Sequence, residues 1–591
     1  MLAVLVLQAL VGLAWWRWLR REPRLAAGER LLCAGLLSIA QVVGVSLLLG
    51  WLGMLAPAAL IGGVLAADAL VALLPAGAVP QPAAVARHDA GGSMGAALLG
   101  ALLAVTLTVV LARGVLLPDA GWDGFKYHLP MTALMRQTGG FDPGPVLNPV
   151  IAGYPKTGEI WAHWLLAVCG DDRWLILQQL PFLPLAVLAV WCAARRLGAS
   201  AGAAALAGLL FPFAPVVLAQ ITTAYTDVVL SALVLTVVAL LLALPAAAGW
   251  PLAIALGAAL GLLAGSKFSG ATLAALLFAA AGVVAVRVHG RRALRWLALA
   301  GGLALLLGGD AYLRNWRQHG NPVFPYRTAV LGHQLPGPSS ADQVYGAAET
   351  RGEPPLRPLL RSWSAVGETT HSGLYGGFGF AWPFLAAAGL ASLLLALRDG
   401  DRRRLAVYGL GALLFVATPL NFRVRFTLFL LGFGGLALAH VLDRATPRWR
   451  ALLVGATLAV AAAGALQVGV PAARALAGAS PRPADLCHVA PPAVYRAAYA
   501  WLREHAGGRT VLTFPGPELF PYCLWTPAVD NRVIFADPRG TDELVALAAA
   551  HPAAILVLAR DAPALEYWRA SDPAAWRTLY QDEWVTLVTR R

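Results

Sequence analysis

Long apolar segments separated by short arginine-rich segments constrain the fold of this chain more than any other feature. About fourteen of them approach the length of roughly 20 residues that a helix needs to cross a bilayer. Because 59% of the residues are hydrophobic and only 13% are charged, one water-soluble core could not bury them. The sequence therefore predicts an all-α polytopic membrane protein. Its predicted spans are residues 2–16, 31–52, 55–76, 95–117, 174–194, 201–219, 227–245, 251–265, 269–286, 294–309, 374–397, 405–419, 426–442 and 451–470.

The arginine clusters predict how the chain is oriented. They lie at 17–30, 87, 195–196, 287–295, 398–404 and 444–450. If the N-terminus is outside and the spans alternate, nearly all of these clusters fall on one side, which the positive-inside tendency assigns to the cytoplasm. We therefore expect a multi-pass protein of the plasma (inner) membrane with both termini extracytoplasmic. The net charge of +14 follows from these clusters, and nucleic-acid binding is not predicted.

Three stretches are too polar to span and are predicted to lie outside: about 118–173, about 310–373, and everything after 471. The last has strand-like runs (TVLTF, AAILVLA, WVTLVTR) alternating with helix-like runs, which predicts a small soluble α/β domain over 471–591. Residues 1–94 form extra N-terminal helices before a membrane module at 95–470. Cys487 and Cys523 are the two cysteines of the outer domain; a bridge and two free thiols both remain open.

Only three of the 45 basic residues are lysines, namely Lys126, Lys156 and Lys267, and all three are predicted on the outer side. An ammonium is a compact point charge, whereas a guanidinium is a broad planar fork, so the two are not interchangeable at a tight site. Lys267 lies between two apolar helices, where a cation is costly and suggests function. A snorkelling lysine at a helix end is the alternative. Together the three favour an anionic ligand on the outer face.

Two acids are predicted at the same depth on that face. Asp123 follows a predicted span, and Asp227 begins another. Either could serve as a base, since burial near the lipid surface raises a carboxyl pKa. The pair could also hold a divalent cation; helix caps are the structural alternative. His128 has no second histidine at ligand spacing, so a hydrogen-bonded structural role is favoured over a metal ligand.

Six segments, in order along residues 95–470, resemble the GT-C superfamily of membrane glycosyltransferases that use lipid-linked sugars. The nearest likeness is to bacterial relatives of protein O-mannosyltransferases and of the lipid A aminoarabinose transferase. The segments are WDGFKYHLP, YPKTGEIWAHWLLAVCG, YTDVVLSALVL, GLLAGSKFSG, RNWRQHGNPVFPY and NFRVRFTLFLL. The resemblance implies an inverting transferase that moves a sugar from a polyprenyl-phosphate donor to an acceptor hydroxyl.

The resemblance also implies roles for residues. Catalytic acids map to Asp123, the base, and Asp227, while donor-phosphate contacts map to Lys156, Lys267 and Arg425. Substrate-positioning residues are expected at Tyr127, His128, Glu159, Arg314 and Asn315. No cofactor is certain; one divalent cation, held by Asp123 and Asp227, is the single candidate.

Partners implied are the lipid donor, the bilayer, and a glycan, glycolipid or protein acceptor. The competing interpretation is a transporter or flippase of lipid-linked or anionic solutes. Charged residues clustered at one face and the lack of an internal repeat favour the enzyme.

Overall fold

A computed structural model describes residues 1–20, 22–74, 90–146, 148–330, 332–340, 352–354, 356–367, 371, 376–515 and 520–591. Arg21 and Arg87, which the orientation argument included, lie outside these residues. Within these residues, fourteen apolar helices, here α1–α14, overlap the predicted spans. They are Leu2–Leu19, Ala27–Trp51, Pro57–Leu73, Ala90–Leu116, Phe182–Arg196, Ala201–Leu210, Asp227–Ala247, Trp250–Ala264, Phe268–His289, Ala293–Gly308, Ala381–Arg398, Arg402–Ala417, Phe429–Arg444 and Pro447–Ala477.

Eight helical segments are long and apolar enough to cross a membrane, and three shorter apolar helices accompany them in the described part of the chain. The protein is therefore a polytopic, predominantly helical membrane protein, as predicted. The predicted span 201–219 is divided: α6 ends at Leu210, a short 3₁₀ turn follows, and a second helix runs over Pro215–Gln220. Pro212 and Pro215 explain the break, because proline removes a backbone donor and clashes with the preceding turn.

Most arginine clusters meet at one end of the helix bundle. Arg196 pairs with Glu29, Arg404 donates to the Leu197 carbonyl at 2.5 Å, and Arg403 donates to the Leu242 carbonyl at 3.0 Å. The last contact lies near the end of α7, which is buried along nearly its whole length. Its 21 residues span about 30 Å at 1.5 Å per residue, the thickness of a bilayer core. Asp227 therefore begins α7 a full membrane thickness from the arginine-rich end.

The first polar stretch is a chain of short helices at the end opposite the arginines. We call Thr157–Cys169 the loop helix, since it is the longest of them. The others are Gly121–Asp123, a π-helical turn Gly124–His128, Leu129–Thr138, Pro149–Gly153 and the 3₁₀ turn Asp172–Leu177. The second polar stretch comprises helices Asp310–His319 and Leu356–Ser364 and a small sheet of β1 (Tyr326–Val330), β2 (His333–Leu335) and β3 (Ser339–Ser340).

The C-terminal region is a small α/β domain, as predicted. Its five-stranded sheet has the order β5-β4-β6-β8-β7, parallel over the first three strands and antiparallel at β8 and β7. The strands are β4 Thr510–Thr513, β5 Arg532–Phe535, β6 Ile555–Ala559, β7 Trp576–Gln581 and β8 Val585–Arg590, with helices Arg496–His505, Thr541–Ala550 and Pro563–Arg569. A disulfide joins Cys487 and Cys523, which decides between the two open alternatives.

This domain packs on the same end of the bundle as the first polar stretch. The rings of Trp122 and Phe520 lie 4.8 Å apart, and the Gln137 side chain binds the backbone of Val533 on the edge strand β5. Arg503 forms a buried ion pair with Asp172 at 2.7 Å. The domain therefore borders the region that contains Asp123.

Candidate active site

Four charged side chains from distant parts of the chain meet at the end of the bundle opposite the arginine clusters. Arg425 Nη1 lies 2.8 Å from Asp123 Oδ2 and 3.9 Å from Asp227 Oδ2. Lys267 pairs with the other oxygen of Asp227. The Lys267 and Asp123 side chains are 18% and 20% exposed, so the cluster is open on one side. We call Asp123, Asp227, Lys267 and Arg425 the charged cluster.

Helix starts position two of these residues. Asp227 is the first residue of α7, and Lys267 immediately precedes α9. The loop helix begins beside them: the Thr157 backbone N–H donates to the Gly265 carbonyl at 2.8 Å. Three helix N-termini therefore converge next to the cluster, and their partial positive charges favour an anion.

A close approach of backbones makes this convergence possible. A Cβ on Gly158 would lie 2.5 Å from Thr226 Cγ2, and one on Gly265 would lie 2.4 Å from Thr157 Oγ1. Thr226 Oγ1 is buried without a hydrogen-bond partner at the same junction. The glycines thus bring polar side chains and helix starts closer than larger residues would allow.

A tight turn at Gly121 positions Asp123. Gly121 has φ +72°, and a Cβ there would lie 2.9 Å from His371 Nε2, so only glycine fits without strain. The Asp123 backbone N–H lies 3.4 Å from the Tyr225 hydroxyl. Burial would raise the pKa of the Asp123 carboxyl, but Arg425, His128 and Lys267 outweigh it and lower that pKa below its usual value. Asp123 is therefore ionised and able to accept a proton.

Arg425 is held from several sides. Its guanidinium carbon lies 5.1 Å from the Tyr225 ring centre and 4.8 Å from that of Phe426. Burial disfavours its charge, but Asp123 and Asp227 raise the pKa of Arg425 above its usual value. The Lys267 ammonium lies 5.3 Å from the same Phe426 ring. One aromatic ring thus orients both cations of the cluster.

Beside the cluster, His128 and Glu159 form a buried pair. The Tyr127 ring packs 4.3 Å from that of His128, and burial followed by the charge of Asp123 raises the pKa of Tyr127 well above its usual value. Tyr127 therefore stays a neutral phenol near Asp123. The positioning roles expected for these three residues stay predictions.

Lys156, Arg314 and Asn315 form a second group, apart from the charged cluster. Lys156 Nζ donates to the Ala152 carbonyl at 3.0 Å, and Arg314 Nη2 donates to the same carbonyl at 3.4 Å. Asn315 donates to the Gly153 carbonyl at 2.7 Å. Burial and then the Arg314 charge lower the pKa of Lys156 well below its usual value. These side chains hold the backbone of the turn that precedes the loop helix, and their expected roles toward substrate stay predictions.

The sequence also suggests a divalent cation as a candidate ligand of Asp123 and Asp227. Among the residues that the structure describes, no group of three or more His, Cys, Asp or Glu side chains could hold a metal ion. In the structure Asp123 pairs with Arg425 through Oδ2, and Asp227 pairs with Lys267. The cation stays a prediction.

Three site residues were not predicted from the sequence. Gln220 donates from its amide to Asp227 Oδ2 at 3.0 Å and to the His371 carbonyl at 2.9 Å. Tyr225 lies against Arg425, Asp123 and the His371 ring. Tyr225 lies two residues before Asp227, so the AQITTAYTD segment held a signal for it. His371 lies in a polar stretch where no pattern marks it.

No protein-family model matches the sequence, and no curated protein matches it either. Solved structures are similar in fold. The apo structure of ArnT from Cupriavidus metallidurans aligns with a TM-score of 0.50 and 17% identity over 85% of this chain and 98% of ArnT. A structure of that ArnT bound to undecaprenyl phosphate aligns at a TM-score of 0.47 with 16% identity, over the same shares of both chains. The arabinofuranosyltransferase AftD from Mycobacteria aligns at 0.43 with 16% identity, over 86% of this chain and 40% of AftD. The alignment at a TM-score of 0.50 confirms the fold expected from the six motifs: this chain has the same fold as ArnT.

Proposed function

We propose that the protein is an inverting glycosyltransferase that moves a sugar from a polyprenyl-phosphate donor to an acceptor hydroxyl. The observation that carries the proposal is the charged cluster, in which an ionised carboxylate and two cations share one partly exposed site. A transferase of this type needs a base for the acceptor and positive charge for the departing phosphate, and both are present within a few ångströms. The GT-C fold supports the same conclusion.

The chemistry assigns a task to each side chain. Lys267 and Arg425 bind the donor phosphate and stabilise its charge as the bond from the anomeric carbon to the phosphate oxygen breaks. Asp123 accepts the proton of the acceptor hydroxyl as its oxygen bonds to the anomeric carbon. The products are the glycosylated acceptor and the free polyprenyl phosphate. A single displacement inverts the anomeric centre.

Asp227 acts through its contacts with Lys267, Arg425 and Gln220. Its side chain is only 2% exposed, so it orients the two cations rather than meeting the acceptor directly. The three helix N-termini beside it add to the positive potential at the phosphate position.

The lipid part of the donor needs an apolar path from the cluster into the bilayer. A cavity of about 370 Å³ between α8, α9 and α10 has an almost wholly apolar lining and includes Tyr312. The Tyr312 ring packs against Phe268, the neighbour of Lys267, with ring centres 5.8 Å apart. We therefore propose that this cavity holds the first part of the prenyl chain, which would leave the charged cluster beside Lys267.

We also propose that the reaction takes place on the outer face of the inner membrane. The cluster lies at the opposite end of α7 from the arginine contacts, and the positive-inside tendency assigns the arginine end to the cytoplasm. The disulfide of the C-terminal domain, which packs at the cluster end, fits an oxidising compartment.

The test uses purified protein in lipid vesicles with a panel of polyprenyl-phosphate sugars, and records release of the lipid phosphate. The variant Asp123→Asn should lower the rate by roughly 10²- to 10⁴-fold, the usual contribution of a general base, while donor binding persists. Asp561→Asn, at an exposed carboxyl of the C-terminal domain, is the control and should be unaffected. Lys267→Arg should weaken donor binding, because a guanidinium does not fit the compact pairing with Asp227.

The outcomes separate the function classes. Turnover that Asp123→Asn leaves unchanged would refute Asp123 as the base. Donor binding without turnover from any donor and acceptor tried, together with movement of labelled lipid between leaflets, would point to the flippase. An EDTA arm decides whether the reaction needs the predicted divalent cation.

A further inference from the structure

A polar cavity of about 220 Å³ lies close to the charged cluster, since Gln220 links the His371 carbonyl at its wall to Asp227. It is bounded by the end of α4, the Pro215–Gln220 helix and its following turn, and the last third of α14. Its polar lining comprises Arg113, Asp119, Thr222, Thr223, His371 and Gln467. Leu218, Val468 and other aliphatic side chains supply the rest.

Two polar side chains in this cavity have unpaired groups. Among the described residues, Arg113 makes no hydrogen bond or ion pair. Gln467 Oε1 is buried without a partner, although its amide nitrogen donates to the Val366 carbonyl at 3.0 Å. Pro471 has no N–H, so it also leaves the Gln467 backbone carbonyl without its usual helical donor. An unpaired buried atom such as Gln467 Oε1 is costly, and a ligand with hydroxyl groups would satisfy it and also reach the half-buried guanidinium of Arg113.

One layer of side chains separates the cavity from Asp123. The His371 ring lies 5.4 Å from that of Tyr225, whose hydroxyl lies 3.4 Å from the Asp123 backbone nitrogen. On the other wall, Asp119 Oδ1 accepts a hydrogen bond from the Gly121 N–H at 2.8 Å, two residues before Asp123. A ligand in the cavity would therefore hold a group close to the base.

We infer that this cavity binds the acceptor and that the acceptor is a saccharide. This rests on the proposed function, since an acceptor is needed only if the protein transfers sugar. A carboxylate, a guanidinium, an imidazole, an amide and hydroxyls in one small cavity match the alternating donors and acceptors of sugar hydroxyls. The aliphatic lining matches the C–H faces of the ring. The volume lies below the range of about 300 to 1,000 Å³ for drug-sized ligands and suits a single sugar ring.

Other ligands fit less well. An inorganic phosphate or lipid phosphate would meet Arg113 but also the carboxylate of Asp119. A peptide would need an extended groove with backbone partners rather than a compact cavity. In the reaction, the bound saccharide extends past the His371 and Tyr225 side chains, and one hydroxyl of the extending part bonds to the anomeric carbon of the donor. Its proton passes to Asp123, and polyprenyl phosphate leaves.

Binding, rather than activity, is the direct test. The probes are methyl and decyl glycosides of neutral and acidic monosaccharides, measured by saturation-transfer NMR on the purified full-length protein. Gln467→Leu and Arg113→Gln should each weaken binding by roughly tenfold, because each removes a hydrogen-bonding partner in a buried site. Arg474→Gln, at an exposed arginine of the same helix that does not line the cavity, is the matched control and should bind as the native protein does. Stronger binding of the decyl glycosides would identify a membrane-anchored glycan, and equal binding a soluble one.

Each outcome bears on the inference separately from the proposed function. No binding of any glycoside, or binding that Gln467→Leu and Arg113→Gln leave unchanged, would overturn it. Binding of dioleoyl phosphatidic acid vesicles that Arg113→Gln abolishes, without glycoside binding, would make the cavity a lipid-phosphate site instead. If glycosides bind here but no donor releases its phosphate, the cavity stands and the transferase proposal fails. Unchanged melting temperatures of the variants would exclude misfolding as the cause.

Discussion

At the residue scale, Arg425 has two roles in the proposed reaction. It pairs with Asp123 at 2.8 Å in the structure, and it is also a cation for the donor phosphate. A phosphate would draw its guanidinium away from Asp123 and remove the largest opposition to the burial effect on that carboxyl. Donor binding would thus raise the pKa of Asp123 and make it a stronger base when the acceptor arrives.

The pH dependence of activity tests this coupling. Arg425→Gln removes the main cause of the lowered pKa of Asp123 while its burial remains, so that pKa should rise. Because the ionised form is the base, the acidic limb of kcat/KM should move to higher pH in the variant.

A graded comparison separates this effect from a loss of fold. Lys267→Gln should move the same limb less, since Lys267 lowers the pKa of Asp123 less than Arg425 does. Arg474→Gln should not move it, since Arg474 is not among the charges that lower the pKa of Asp123. Identical acidic limbs in all three variants would contradict the assigned coupling.

The residues of the cluster could be predicted from the sequence, but their contacts could not. Asp123 and Arg425 are separated by 302 positions, and Lys267 and Asp227 by 40. Motif resemblance identified each residue singly, whereas the pairing depends on how α7, α9 and the α12–α13 connection pack. His371 was missed because its contact with Gly121 arises only from the tertiary fold.

At the element scale, hydropathy identified the fourteen helices because lipid makes apolar length a strong requirement. The strands of the five-stranded C-terminal sheet were harder to predict from the sequence. β4, β6 and β8 are buried strands rich in Val, Leu and Thr and were predicted, whereas β5 and β7 were not. β7 is WRTLYQ with mainly exposed side chains, so it lacks both an apolar run and a clear alternation.

Two glycines on α14 give an element-scale prediction. A Cβ at Gly464 would lie 1.9 Å from the Phe213 carbonyl oxygen, whereas one at Gly455 would meet nothing within 4 Å. Gly464→Ala should therefore push α14 off the α6 turn and cost about 1–3 kcal/mol, as overpacking usually does. Gly455→Ala should be neutral or slightly stabilising, since alanine favours a helix by about 0.5–1 kcal/mol.

Thermal unfolding of the detergent-solubilised variants checks this pair. Both substitutions add one methyl to the same helix, so a lower melting temperature for Gly464→Ala alone identifies the close approach as the cause. Equal melting temperatures would mean that α14 does not rest on Phe213.

At the scale of the whole molecule, we predict that the second polar stretch faces outside and that the arginine-rich end of the bundle faces the cytoplasm. Single cysteines are introduced at Ser364, exposed in the second polar stretch, and at Arg291, exposed at the arginine-rich end. Cys33 and Cys192 are buried, and the partly exposed Cys169 is first replaced by alanine. In intact spheroplasts, a membrane-impermeant maleimide should label Ser364→Cys at once and Arg291→Cys only after permeabilisation. The reverse labelling would move the charged cluster to the cytoplasmic face.

Docking of the C-terminal domain depends on one buried arginine. Arg503 binds Asp172 of the membrane module at 2.7 Å and Asp485 at 2.8 Å, and Tyr522 donates to the same Asp172 oxygen at 2.8 Å. The disulfide between Cys487 and Cys523 joins the segments that carry Asp485 and Tyr522. Arg503→Ala should destabilise the docked state by about 3–5 kcal/mol, because it leaves the buried carboxylate of Asp172 without a countercharge.

Hydrogen exchange measures this loss of docking stability. In Arg503→Ala, amide exchange should be faster in the 485–535 segment and unchanged in the membrane helices. Arg560→Ala removes an arginine of the same domain that forms an exposed pair with Glu583 at 2.9 Å, so it should change exchange little. The double variant Arg503→Ala with Asp172→Ala removes the unpaired charge as well, and should restore part of the protection that Arg503→Ala alone loses. If the Arg503→Ala and Arg560→Ala variants show the same amide exchange rates, the domain is held by its apolar contacts at Trp122 and Phe125 rather than by the buried ion pair.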